Sequence, residues 1–258
     1  MRRRIAIAGN GAWGQALAHV AKQAGHEIGM WSRKQSDVVE FASYDAIILA
    51  VPAQAVRDVL NVIKPPPGIP LIISAKGIER RSSMFLNEVV ADVVPGAHVL
   101  VLSGPSFATD VVKAMPTAVT LAANTLAEAG EWAQALTLPA FRVYVSDDVL
   151  GVEIGGAFKN VLAIACGIAD GRGLGDSARA ALTTRGFAEL MRFGKKLGAK
   201  PETLTGLAGL GDLLLTCSSR QSRNYSFGLA IGQGASADKA FATGGARVGD
   251  PGHNLIGG

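Results

Sequence analysis

Two lysines stand in surroundings that suggest chemistry. Lys159 lies in the middle of a mostly apolar stretch that we predict to be a helix, where a buried ammonium is costly unless it is paired or has lost its proton. A desolvated amine can act as a general base; a helix-edge lysine that only reaches out to water is the alternative. Lys76 follows an apolar stretch that we predict to be a strand, and ligands bind at the strand ends of an open parallel sheet. An ordinary exposed loop lysine is the alternative there.

An acid and an arginine farther along the chain could complete a site with these lysines. Asp212 directly follows the glycine-rich run Gly206–Gly211. A carboxylate there could hold an amine and substrate hydroxyls in place. Its alternative role is to cap the helix that follows. The triplet of Ser222, Arg223 and Asn224 offers a guanidinium fork suited to a phosphate monoester. An exposed loop arginine is the alternative.

The chain opens on a glycine pattern typical of nucleotide sites. Gly9, Gly11 and Gly14 form Gly-x-Gly-x-x-Gly between an apolar run and an alanine-rich stretch. Such glycines allow a tight turn, a close approach of pyrophosphate and packing of helix on strand, while the helix N–H groups face the anion. This strand–turn–helix context predicts a dinucleotide site; a glycine-rich turn without a ligand is the alternative.

The end of the second predicted strand bears on the choice of cofactor. An NAD-selective site has a carboxylate there for the ribose diol, whereas this chain has Ser32, Arg33 and Lys34. A cation at that point can accept a 2′-phosphate, so NADPH is favoured. Arg33 as a solvated turn residue is the alternative.

The elements that must position these residues alternate between strands and helices up to Ser146. Apolar runs predict strands at about 4–8, 26–31, 44–51, 69–74, 98–102, 117–122 and 141–145, with helices at about 12–24, 53–62, 82–93, 106–114 and 125–137. From Asp147 onward the pattern predicts helices alone, at about 147–169, 176–197, 201–207, 209–217 and 222–231. We therefore predict an α/β protein: a Rossmann-type, doubly wound, mostly parallel sheet in a dinucleotide-binding domain at 1–146, and an all-α substrate domain at 147–258.

Composition excludes several classes of protein. The 258 residues are 48% hydrophobic, and 25 basic against 21 acidic residues give a net charge of +4. This mild excess suits a small anion and gives no case for nucleic acid as a partner. No uncharged apolar run predicts a membrane span, and no export signal is recognisable, so we expect a cytoplasmic protein. Cys166 and Cys217 lie in apolar stretches without metal-ligand spacing, which predicts buried, reduced thiols and no metal site.

Several blocks of sequence together resemble bacterial NAD(P)-dependent sn-glycerol-3-phosphate dehydrogenases, in the family's order and as far as about residue 234. The blocks are Gly9–Gly14, Ser74–Glu79, Ser103–Ala108, Gly156–Val161, Gly206–Leu213 and Ser222–Asn224. The resemblance implies interconversion of sn-glycerol 3-phosphate and dihydroxyacetone phosphate with NAD or NADP, which feeds phospholipid synthesis.

The resemblance also implies roles for individual residues. Lys159 matches the general base that takes the proton of the C2 hydroxyl, and Asp212 matches a second catalytic residue. The matching cofactor-binding residues are Gly9, Gly11, Ala12, Trp13, Gly14, Arg33, Lys76, Ala108 and Arg223. The matching substrate-binding residues are Lys76, Gly104, Ser106, Lys159, Asp212, Ser222, Arg223 and Asn224. A small phosphate substrate is the implied partner, and the family is compatible with a homodimer.

The chain departs from the family at two places. It lacks the helix and loop that the family carries between the second strand and the strand at Asp45–Val51, and its tail at 242–258 is too rich in glycine to be expected to pack. Two other functions stay open. One is a related hydroxy-acid dehydrogenase, which would not need the fork of Arg223; the other is a cofactor-binding protein of the same fold with weakened or lost activity.

Overall fold

A seven-stranded sheet forms the first part of the molecule. The computed structural model describes residues 1–33 and 40–243. The strands are β1 (Arg4–Ala8), β2 (Glu27–Trp31), β3 (Ala46–Leu49), β4 (Pro70–Ile73), β5 (His98–Ser103), β6 (Thr117–Ala122) and β7 (Phe141–Ser146), in the order β2-β1-β3-β4-β5-β6-β7. Only the β5–β6 pairing is antiparallel. The predicted mostly parallel sheet is confirmed.

Helices cover both faces of this sheet. They are α1 (Ala12–Gln23), α2 (Val56–Ile63), α3 (Leu86–Val93), α4 (Ala108–Val112) and α5 (Leu126–Leu136). Alternate residues of β1 enter different cores: Ile5 and Ile7 pack with α1 and α5, whereas Ala6 and Ala8 pack with α2 and α3. This alternation follows from the two-residue period of a strand, and it gives the doubly wound arrangement expected from the continuous apolar runs.

Helices alone follow β7 in the described part of the chain. They are α6 (Val149–Gly171), α7 (Gly175–Leu197), α8 (Pro201–Thr205), a π-helical turn at Leu207–Gly211, α9 (Asp212–Ser218), α10 (Arg223–Gly232) and α11 (Ala237–Thr243). Asp148 caps α6, because its Oδ1 accepts the N–H of Gly151. Gly198 ends α7 with a φ of +90°. Both boundaries agree with the sequence pattern.

Helix α6 lies at the centre of the helical part and contacts α7, α9 and α10. Its glycines permit this closeness: a Cβ added at Gly155 would overlap the carbonyl oxygen of Ala208, and one at Gly167 would overlap that of Tyr225. Helix α10 packs equally closely against α6, because a Cβ added at Gly228 would overlap the carbonyl oxygen of Ile164. Tertiary packing therefore compensates the low helix propensity of these glycines.

The structure corrects one predicted boundary, adds one helix and leaves two segments untested. The third helix does not begin at residue 82, because the hydroxyl of Ser82 donates to Glu79 in a turn and Ser83 has a φ of +60°; α3 starts only at Leu86. Helix α11 was not predicted; its Phe241 ring packs against Phe227 of α10 with the ring centroids 4.7 Å apart. The tail at 244–258 and the segment 34–39 lie outside the described residues.

One described helix, α6, is long and apolar enough to cross a membrane by length and composition alone. More than half of its most apolar window is buried inside the molecule, and it carries Glu153 and Lys159. Contacts with three other helices are typical of the core helix of a globular protein.

We expect Gly155→Ala to lower the thermal unfolding temperature, because the added methyl group must displace the backbone at Ala208; overpacking of this kind costs about 1–3 kcal/mol. Gly130→Ala in α5 is the matched control, since its Cβ would meet nothing within 4 Å. The control should unfold at the same or a higher temperature, because alanine favours a helix over glycine. Equal effects of the two substitutions would contradict the packing argument.

Candidate active site

A buried carboxylate joins two lysines from distant parts of the chain. Asp212 is 1% exposed, and its Oδ1 accepts a hydrogen bond from Lys159 Nζ at 2.8 Å while its Oδ2 accepts one from Lys76 Nζ at 2.5 Å. Lys76 also donates to the carbonyl of Gly104 at 3.1 Å, and Lys159 donates to Thr216 Oγ1 at 3.2 Å. We call these three charged residues, Lys76, Lys159 and Asp212, the ion triad.

Local structure explains how each member of the ion triad is placed. Lys159 lies in the middle of α6, and Asp212 is the first residue of α9 after the π-helical turn. Lys76 follows β4, and Gly104 follows the neighbouring parallel strand β5. Gly104 has a φ of +143°, and an added Cβ would lie 2.9 Å from the Cα of Val119. This position therefore requires glycine, and the turn it makes presents the carbonyl that Lys76 binds.

Burial and charge shift the pKa values inside the triad. Burial lowers the pKa of Lys76 to about 8, although the charge of Asp212 opposes this change. Burial would raise the pKa of Asp212, but the ammonium groups of Lys159 and Lys76 outweigh it and hold that pKa below its ordinary value. The carboxylate is therefore ionised at neutral pH. It faces two amines, so the cluster can hold or transfer a proton beside an anion.

The geometry disagrees with the alternative roles of these residues. The side chain of Lys159 is only 12% exposed and that of Lys76 only 18%, so neither is an ordinary solvated lysine. Asp212 does not cap α9: the N-cap residue is Gly211, no side chain caps the helix, and the carboxylate of Asp212 binds two amines. Sequence reasoning missed Thr216, whose hydroxyl donates to the carbonyl of Asp212 at 2.6 Å and accepts from Lys159. The available signal was its position four residues after Asp212, on the same helix face.

The predicted phosphate-binding residues begin α10. Ser222 is buried, and its Oγ accepts the N–H of Tyr225 as the helix cap. Helix α10 runs parallel to α6, since Gly228 packs against Ile164 and Gly232 against Ile168. Arg223, the first residue of α10, therefore lies at about the same level along the helix pair as Lys159.

The loop and helix that follow β5 contact the segment that precedes α10. Thr109 Oγ1 donates to Gln221 Oε1 at 2.9 Å, which joins the start of α4 to the segment before α10. Ser106 Oγ donates to the carbonyl of Gly104 at 3.2 Å, and Ala108 is the first residue of α4. These bonds join the loop after β5 and the start of α4 to the segment that precedes α10.

The glycine fingerprint forms an open cradle at the ends of β1 and β3. Gly9 has a φ of +127°, and its carbonyl oxygen leaves no room for a Cβ at Gly14. At Gly11 a Cβ would meet nothing within 4 Å, and no side chain caps α1, which begins at Ala12. Trp13 Nε1 is buried without a partner among the described residues. Free N–H groups beside an open backbone fit a dinucleotide pyrophosphate, and β1 and β3 flank the point where strand order reverses, where such ligands bind.

Arg33 is placed at the end of β2, as the sequence predicted. Its side chain is 47% exposed, and Nη2 lies 3.5 Å from Asp58 Oδ2. An exposed pair of this kind is weak, so the guanidinium stays available to an anion. Lys34 lies outside the described residues.

Both cysteines, Cys166 and Cys217, are buried free thiols, and no cluster of potential metal ligands occurs in residues 1–33 and 40–243.

Comparisons with known proteins agree with this arrangement. The family model for the N-terminus of NAD-dependent glycerol-3-phosphate dehydrogenase matches residues 4–44 and 35–129, and the model for the C-terminus matches residues 148–249. The C-terminal match continues beyond residue 234, where we expected the resemblance to end.

Individual relatives support the same family. A glycerol-3-phosphate dehydrogenase of Parvibaculum lavamentivorans that uses NAD(P)+ is 46% identical over 93% of this chain and 81% of its own length. A protein of the same name from Methylobacterium radiotolerans is 50% identical over 92% of this chain and 80% of its own. The crystal structure of glycerol-3-phosphate dehydrogenase from Coxiella burnetii superimposes with a TM-score of 0.89 at 38% identity, covering 99% of this chain and 86% of that one. The chain therefore belongs to the NAD-dependent glycerol-3-phosphate dehydrogenase family.

Proposed function

We propose that this protein interconverts sn-glycerol 3-phosphate and dihydroxyacetone phosphate with NAD or NADP as the cofactor. The observation that supports this most directly is the ion triad, in which a buried carboxylate binds two amines beside the Gly104 turn that follows β5. Membership of the family favours a phosphate substrate over another hydroxy acid. An intact triad favours an active enzyme over a cofactor-binding protein without turnover.

In this proposal Lys159 moves the proton and the rest of the cluster positions it. During reduction of the ketone, the ammonium of Lys159 donates a proton to the C2 oxygen; in the reverse direction its amine accepts the proton of the C2 hydroxyl. Asp212 and Thr216 fix Nζ of Lys159 by the bonds at 2.8 and 3.2 Å. A bound nicotinamide supplies or accepts the hydride.

Binding is assigned to the remaining residues of the cleft. Lys76, Gly104 and Ser106 hold the substrate from the sheet side, and Ser222, Arg223 and Asn224 hold its phosphate from α10. Guanidinium suits this dianion because its fork binds two oxygens at once. The cradle of Gly9, Gly11, Ala12, Trp13 and Gly14 would hold the cofactor pyrophosphate, with Ala108, Arg33, Lys76 and Arg223 as further cofactor contacts.

We further propose a division into a dinucleotide-binding domain at 1–146 and a helical substrate domain at 147–258. The change from strands to helices between Ser146 and Val149 supports this boundary. A cytoplasmic location, a homodimer, and a role in phospholipid synthesis without a nucleic-acid or membrane partner complete the proposal.

The activity is tested by mixing the protein with dihydroxyacetone phosphate and NADPH or NADH and following the absorbance of the reduced nicotinamide. Lys159→Ala should lower kcat by about 10²–10⁴-fold, because the proton donor is lost, while titration should still detect cofactor binding. Lys195→Ala, which removes an exposed lysine of α7, is the matched control and should keep the wild-type rate. Near-normal turnover of Lys159→Ala would remove this lysine from the mechanism.

Substrate affinity should depend on pH through Lys76. Its ammonium loses charge as the pH rises through about 8, so KM for dihydroxyacetone phosphate should increase above that pH. Lys76→Arg keeps its charge throughout this range, so its KM should be less dependent on pH, whatever its absolute value. Parallel pH profiles of the two proteins, measured from about pH 6.5 to about pH 9.5, would contradict the role of the Lys76 charge.

Cofactor preference should depend on Arg33. Replacement by aspartate puts a carboxylate where the 2′-phosphate would bind, so Arg33→Asp should shift relative affinity toward NADH by about 1–3 kcal/mol. Fluorescence titration with NADPH and NADH measures both dissociation constants. Asp58→Asn is the control, since it removes only the partner of the surface ion pair. If wild type and Arg33→Asp bind both cofactors equally well, Arg33 is a solvated turn residue.

A further inference from the structure

A small cavity lies beside Lys76, and Asp212 does not contribute to its wall. Lys76, Ser103, Glu153 and Gly156 contribute to its wall. It offers about 10 Å³ to the centre of a water molecule, which is close to the least room that one ordered water requires. A water needs polar partners as well as room, so the atoms that line the cavity decide what it can hold.

Two buried polar atoms face this region without a partner. Among the described residues none bonds to Ser103 Oγ or to Glu153 Oε2, and these residues are 4% and 6% exposed. The other oxygen of Glu153, Oε1, accepts the N–H of Asn87 at 3.0 Å, at the start of α3. Buried polar atoms are almost always hydrogen-bonded to protein or to ordered water. One ordered water in this cavity would give both atoms a hydrogen-bond partner.

The same residues adjoin the atoms that hold Lys76. Ser103 precedes Gly104, whose carbonyl accepts the hydrogen bond of Lys76 Nζ. A Cβ added at Gly156 would lie 3.1 Å from Ser103 Oγ and 3.3 Å from Cγ of Lys76, so the lysine stem runs close to the α6 backbone. Glu153 lies on α6 less than one turn before Gly156. Whatever fills the cavity therefore supports the lysine stem and the Ser103–Gly104 turn together.

We propose that Glu153 is a positioning residue for Lys76: with Ser103 it binds one water in the cavity, and this water fixes the lysine stem and the turn that holds its ammonium. The inference rests on the proposed function, in which Lys76 binds the substrate. Glu153 itself touches neither substrate nor cofactor in this arrangement.

The protonation of Glu153 suits this role. Burial raises its pKa to about 8, with Glu88 of α3 as a nearby like charge, while the backbone N–H groups of Asn87 and Leu86 act in the opposite direction. The carboxyl group is therefore mainly neutral at pH 7, and its O–H can donate to the water while Ser103 completes the bridge. A neutral acid also avoids competing with Asp212 for the charge of Lys76.

The test compares Glu153→Leu with Glu153→Gln, and uses Glu88→Gln as the matched control. Glutamine keeps the shape and a donor, whereas leucine keeps only bulk. Glu88 also bonds an N–H at the start of α3, that of Phe85 at 2.7 Å, but it is exposed and does not line the cavity. Two readouts are measured at pH 7: KM and kcat for dihydroxyacetone phosphate, and the rate at which acetic anhydride acylates Lys76 in the full-length protein, followed by mass spectrometry.

Glu153→Leu should raise KM about tenfold, the usual size of an effect exerted through a supporting residue, with kcat nearly unchanged. Acetic anhydride should also acylate Lys76 several-fold faster in this variant, because the amine is less restrained. Glu153→Gln and Glu88→Gln should both stay within about twofold of wild type.

Three outcomes would overturn the proposal: wild-type KM and acylation in Glu153→Leu, equal changes in Glu153→Leu and Glu88→Gln, or a glutamine variant as impaired as the leucine variant. If the wild-type protein does not turn over dihydroxyacetone phosphate, the proposed function fails. The acylation rates then decide by themselves whether Glu153 positions Lys76.

Discussion

The buried carboxylate of Asp212 is the constraint on which the rest of the site depends. It binds one lysine from the sheet and one from α6, so the two parts of the chain meet at a single charged side chain. Two buried ammonium groups would repel each other without it, and removing one partner of a buried ion pair costs about 3–5 kcal/mol. The carboxylate thus stabilises the contact between the sheet part and α6, and it orients the two amines of the ion triad.

Close backbone packing makes this ion triad attainable. Asp212 follows a π-helical turn that lies directly on α6, because Gly155 leaves space for the carbonyl of Ala208, and Gly209 leaves space for that of Leu204. Larger side chains at either glycine would move α9 away from Lys159. Glycines that weaken a helix locally are therefore required here, since they set the distance between Lys159 and the carboxylate of Asp212.

Parallel strands bring the glycine turn after β1 to the same edge of the sheet as Lys76. The turn at Gly9 follows β1, and Lys76 and Gly104 follow β4 and β5, so all three lie at one edge of the sheet. That edge is where ligands bind in open α/β sheets. Antiparallel strand β6 covers the turn at Gly104, which helps to hold the carbonyl that binds Lys76. The fold therefore brings the glycine turn, Lys76 and Gly104 to one edge of the sheet without long loops.

Local patterns in the sequence determined the fingerprint, the α/β class and several helix ends, because a strand, a glycine turn or a cap at Asp148 depends on residues close in the chain. The resemblance to glycerol-3-phosphate dehydrogenases was also readable there, and the comparisons confirmed it. Only the tertiary structure decided which groups meet. The partners of Asp212 are 53 and 136 residues distant, and Glu153 acquires its cavity from three separate elements. Periodicity carries no information about such pairs, since burial of a charge is settled by packing between elements and not by neighbours in sequence.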